Sequence, residues 1–132
     1  MTFLALDLGR RRAGVAISHG ILAKAMLTLS FDENKIKHFI LELEKIIIAQ
    51  SIDVIVVGLP LGNGQEETPQ SQWTKKIGKI LNEELNLPVE YVEEGYSTTE
   101  AKERIIKEGL KKEDLDAVSA KIILEQFLNE KS

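Results

Sequence analysis

The chain has 132 residues, 43% of them hydrophobic and 5% aromatic, which suits one soluble globular domain with its own core rather than a disordered or membrane chain. It contains no cysteine, so disulfides and thiolate metal sites are excluded and a reducing, cytoplasmic setting is expected. The 17 basic and 21 acidic side chains leave a net charge of −4, which by itself argues against nucleic acid as a partner.

The first element is a strand over about residues 2–8. Phe3, Ala5 and Asp7 alternate with Leu4, Leu6 and Leu8, and both sets are largely apolar, as on a central strand covered on both faces. Asp7 is the exception, because an unpaired buried carboxylate is costly and needs a partner. A tight turn at residues 9–11 leads to a second strand over residues 12–18, and a third over residues 23–29 completes a meander. "NKIKHFILELEKIIIAQ" places Ile36, Phe39, Ile40, Leu43, Ile46 and Ile47 at helical spacing. "DVIVVGLP" is a buried strand stopped by Gly58 and Pro60. After a glycine-bearing loop, Thr68 and Pro69 fit the N-cap and first residue of a helix reaching about Leu85. "PVEYVEE" is the fifth strand. "STTE" (residues 97–100) fits a capping box for a helix ended by Gly109, and a last helix spans about residues 113–128. The order βββ-α-β-α-β-α-α implies an α/β fold: a mixed five-stranded sheet with helices on both faces, a three-layer α/β/α arrangement in a single domain over residues 1–132.

Charge is unevenly spread along this order. Residues 1–30 hold Arg10, Arg11, Arg12 and Lys24 against Asp7 alone, or +3, so the remainder carries −7. The arginine triplet fits a solvated turn or an anion-attracting one. In the last helix, Asp116 shares a face with Ala120, Ile123 and Phe127 at offsets of four, seven and eleven, whereas Asp114 falls off it. A helix-start aspartate is also favoured by the helix dipole alone. Glu93 and Glu94 end the fifth strand on opposite faces, so at most one can join Asp7 and Asp116; either also fits a solvated strand end. Three converging carboxylates repel one another unless a cation neutralises them, and hard divalent ions such as Mg²⁺ take oxygen ligands. Such a site suits phosphodiester hydrolysis.

Four blocks, "LALDLGRRRAGVAIS", "VVGLPLGNG", "VEEGYSTTEA" and "LDAVSAKIILEQFL", occur in the order and spacing of the YqgF/RuvX family, which this chain resembles over almost its whole length. The resemblance implies a ribonuclease H-like fold and a metal-dependent endonuclease using Mg²⁺ or Mn²⁺. It implies pre-16S rRNA processing as the preferred role and Holliday-junction resolution as the alternative. By matching position it implies Asp7, Glu94 and Asp116 as the catalytic, metal-holding triad, with Arg11 and Arg12 as substrate-binding residues. The chain departs from the family pattern at Glu93-Glu94-Gly95, where the family usually reads Asp-Glu-Arg, and at Ser18-His19, where it commonly reads Ser-Asp. A non-catalytic binder of structured nucleic acid is the alternative of another class. Sugar kinases and actin-like ATPases share the Asp-x-Gly turn but need two such domains, and the motif occurs once here. Trp73 fits a core position or a base-stacking platform, and His19 and His38 have no assigned role. With no coiled-coil heptads, a monomer in dilute solution is expected.

Overall fold

The computed structural model describes residues 1–62, 64, 66–94 and 112–131, with only the backbone described for Glu94 and residues 112–114. The expected helix over residues 97–109 lies outside them. The strands are β1 (Phe3–Leu8), β2 (Arg12–Ser18), β3 (Ala23–Ser30), β4 (Val54–Pro60) and β5 (Val89–Glu94). The helices are α1 (Ile36–Gln50), entered through a 3₁₀ turn at Glu33–Lys35, α2 (Pro69–Leu85) and α3 (Lys112–Lys131).

The strands form one sheet in the order β3-β2-β1-β4-β5, with β1 at its centre. β1 pairs antiparallel with β2, and β2 with β3. β4 runs parallel to both β1 and β5, so the carboxyl ends of these three strands meet at one end of the sheet. This is the mixed sheet that the sequence pattern predicts.

Strand alternation sorts the core into two layers. Leu4, Leu6, Leu8, Val15, Ile55 and Val57 pack under α1 and α2, against Phe39, Leu43, Trp73, Ile77 and Leu81. Ala5, Ala16, Val54, Val56 and Val92 face α3, against Ala120, Ile123, Leu124 and Phe127. Small side chains in β1 and β2 on the α3 side let that helix lie close to the sheet. The start of α2 follows the predicted signal: the Thr68 hydroxyl accepts from the Ser71 N–H (3.1 Å), and the Ser71 hydroxyl accepts from the Thr68 N–H (2.8 Å). Pro69 occupies the first helical position, where its missing N–H costs nothing. No helix among the described residues is long and apolar enough to cross a membrane.

Candidate active site

Asp7 lies one residue before the end of the central strand, half-buried, in phase with Phe3 and Ala5 and therefore on the α3 face. Its register partner across the antiparallel pair is Gly14. Directly opposed residues share a face, so a side chain at position 14 would stand beside that of Asp7. There is no room for one. A Cβ on Gly14 would lie 1.8 Å from the Asp116 carbonyl oxygen and 2.9 Å from the Ala117 nitrogen. The backbone of α3 thus rests on Gly14, and this contact carries Asp116 to the strand pair that holds Asp7. A glycine inside a strand often marks such a close backbone approach. That signal stood in "RAGVAIS", and the sequence reading missed it.

Asp116 is near the start of α3, and its side chain is 20% exposed. As its spacing predicts, Ala120, Ile123 and Phe127 on the same helix face pack into the sheet. Its carboxylate is neutralised from within the chain. Arg12 Nε donates to Asp116 Oδ2 at 2.8 Å across 104 positions of sequence. Arg12 begins β2 in phase with Gly14 and Ala16, which explains why its side chain emerges on the α3 side.

The remaining members of the arginine triplet go elsewhere. Arg10 lies over the Trp73 ring, 4.2 Å from its centroid, and 4.0 Å from the Glu33 carboxylate. Trp73 is buried, and its Nε1 donates to Glu33 Oε1 at 2.7 Å, so it is a core residue capped by a cation rather than a base platform. Lys76 Nζ joins the cluster at 2.7 Å from Glu33 Oε2. These two donors, Lys76 first, hold the Glu33 carboxyl below its ordinary pKa. Arg11 is exposed and makes no side-chain hydrogen bond or ion pair among the described residues; its carbonyl accepts from the Phe31 N–H at 2.8 Å, fixing the turn. The three adjacent arginines are therefore not equivalent, which their run in the sequence conceals.

Glu94 is the last residue of β5, in register with Pro60, and position 94 has the strand phase of Val92, which faces α3. Its side chain lies outside the described residues. Glu93 is exposed and out of that phase, and its carbonyl accepts from Gln126 Nε2 at 3.0 Å. Between β1 and β5, Gly58 of β4 has the phase of Val54 and Val56 and contributes no side chain to the α3 face. His19 follows Ser18, the register partner of Phe3, and so sits at the opposite end of the sheet from Asp7. His38 is exposed on α1.

The donor chemistry at this end of the sheet fits a hard cation: Asp7 and Asp116 offer carboxylate oxygens, and the chain has no thiolate. Among the described residues, no group of three His, Asp or Glu side chains is placed to hold a metal ion. Glu94, whose side chain is not described, ends β5 in the strand phase of Val92.

Residues 1–130 match the model of the RuvX family, described as Holliday junction resolvase. The chain belongs to the RuvX family. Among its relatives, a protein of Haemophilus ducreyi named "Putative pre-16S rRNA nuclease" is 37% identical over 133 residues, covering 97% of this chain and 96% of that one. One of the same name from Paraburkholderia phytofirmans is 36% identical over 129 residues, covering 97% and 88%. In fold, the chain is similar to Thermus thermophilus RuvC in complex with a Holliday junction substrate, with a TM-score of 0.62 at 12% identity over 100% of this chain and 97% of that one. It is also similar to the Fowlpox virus resolvase bound to junction DNA, with a TM-score of 0.57 at 14% identity over 99% of both chains. The expected ribonuclease H-like architecture is thus borne out. Membership of the RuvX family makes this chain a hydrolase acting on nucleic acid.

Proposed function

We propose that this RuvX-family chain is a single-domain, metal-dependent endonuclease that trims the rRNA precursor, with Asp7, Glu94 and Asp116 as its catalytic carboxylates. The observation that carries the reading is the seating of α3 on Gly14. It sets Asp116 against the strand pair of Asp7, on one face and at one end of the sheet. A bound cation would offset the cost of holding Asp7, half-buried at the edge of an apolar layer, near a second carboxylate.

A Mg²⁺ or Mn²⁺ ion held by these carboxylates would activate a water and stabilise the leaving oxygen of the phosphodiester. The protein's own part is positional and electrostatic. Asp7 is held by the central strand and Asp116 by a helix packed on both its neighbours, so neither depends on a loop for its place. Arg11 and Arg12 attract phosphate without reading bases, which compensates locally for the acidic total charge.

The rRNA assignment follows the names of the relatives. Junction resolution is the second reading, favoured by the family description and by the fold of the junction-bound resolvases. Symmetric resolution needs two active sites at a fixed separation, and a monomer supplies one. Purified protein offered rRNA precursor, single-stranded RNA and four-way DNA junctions with Mg²⁺ or Mn²⁺ tests the choice, with sedimentation at micromolar concentration alongside. Cleavage of RNA by a monomer, lost in Asp7→Asn and Asp116→Asn, is expected. Paired symmetric cuts in junctions by a stable dimer would establish the second reading instead. Binding without cutting under every ion would establish a non-catalytic binder.

A further inference from the structure

Arg12 engages a carboxylate that the proposed function assigns to the metal. The Nε–Oδ2 separation of 2.8 Å is a full charge-assisted hydrogen bond, made across 104 positions of sequence. It is held from both ends: Arg12 is registered by its pairing with Ser30 in β3, and Asp116 by the contact of its own backbone with Gly14. The two side chains are not equally fixed. Arg12 is 60% exposed and long enough to swing outward, whereas Asp116 is 20% exposed.

We propose that Arg12 is a built-in counter-cation that occupies the Asp116 carboxylate and is displaced when a divalent ion binds. This rests on the reading of Asp7 and Asp116 as metal ligands. The guanidinium takes one carboxylate oxygen and places a positive charge beside any incoming ion, so the two compete both for the ligand atom and by repulsion. The competition has a use. Without metal, the carboxylate stays neutralised and the guanidinium is occupied. Once metal holds Asp116, Arg12 is released at the mouth of the site to meet a phosphate. Its role in substrate binding is thus conditional on the ion, unlike that of Arg11.

Direct Mn²⁺ binding, measured by titration calorimetry on the full chain without substrate, tests this. Arg12→Gln should bind Mn²⁺ about three- to tenfold more tightly than the wild type, a modest factor because the exposed end of the pair is screened by water. Arg12→Lys keeps the charge and should stay within about twofold of the wild type. Thermal unfolding gives a second readout: Arg12→Gln should melt lower in EDTA and gain more from Mn²⁺ than the wild type does. Unchanged or weaker Mn²⁺ binding in Arg12→Gln, with binding still lost in Asp7→Asn, would overturn the competition and leave the metal site standing. If the wild type, Arg12→Gln and Asp7→Asn all bind Mn²⁺ alike, or none binds it, both the competition and the metal site are overturned.

Discussion

Replacing Gly14 with alanine is the sharpest probe of how this site is assembled. Gly14 does not need its glycine for a positive φ, since Gly20 is the glycine with that conformation among the described residues. It needs space. The new Cβ would fall 1.8 Å from the Asp116 carbonyl oxygen, and real Cβ contacts stay beyond 3.0 Å, so the start of α3 has to retreat by about 1.2 Å. Moved away from β2 by that amount, Asp116 Oδ2 would no longer lie at the 2.8 Å that its bond from Arg12 Nε requires. Overpacking of this kind costs about 1–3 kcal/mol, offset by about 0.4–1 kcal/mol because alanine restricts the unfolded chain. A net loss of about 1–2 kcal/mol should appear in urea unfolding followed by far-UV circular dichroism. Catalysis should suffer more, because a displacement of about 1 Å between reacting groups can cost roughly 10²-fold in rate. Initial cleavage rates under saturating Mg²⁺ measure that loss. A Gly14→Ala protein that unfolds within about 0.3 kcal/mol of the wild type and cleaves at the wild-type rate would refute the argument that this contact sets the site. One that is destabilised yet fully active would show that Asp116 keeps its place by another route.

Three further outcomes follow from the divided arginine triplet. In EDTA, Arg11→Ala should weaken binding of single-stranded RNA across sequences and lower the salt slope by about one, while Arg12→Ala should change neither, a contrast that fluorescence anisotropy can read. Arg10→Ala removes the cation from the Trp73 face and should cost about 0.5–1 kcal/mol in chemical denaturation, with a shift in tryptophan emission. Glu33, held by Lys76 and Trp73, has a lowered folded pKa, so its contribution is complete above its ordinary value of 4.5 and lost as pH falls through the folded value. Acidification below that value should loosen the Trp73 environment in near-UV circular dichroism, and Glu33→Gln should remove that component of the pH dependence.

Much of the fold was legible in the sequence because its signals are local. Alternation in residues 3–8 marked a strand covered on both faces, and the two sets do line two separate layers. Thr68-Pro69 announced the start of α2, and the bounds of β2 fell where the pattern set them. The helical stripe through Asp116 also held, since spacing along one helix fixes which residues share a face.

What the sequence could not decide was partnership at long range. Arg10, Arg11 and Arg12 are one run of identical side chains, and nothing in that run separates a cation seated on Trp73 from one bonded to Asp116. Their fates depend on how the turn at residues 9–11 and the start of β2 aim each side chain and on which helix lies there, and only the packed sheet settles both. The carboxylate of Asp7 in an apolar strand is a case of the same kind. The sequence determined by itself that Asp7 stands on a central strand at the edge of an apolar layer. The tertiary structure decided that Asp116 is brought to the strand pair that holds it, because one missing side chain at Gly14 lets a helix backbone rest where any other residue would hold it off.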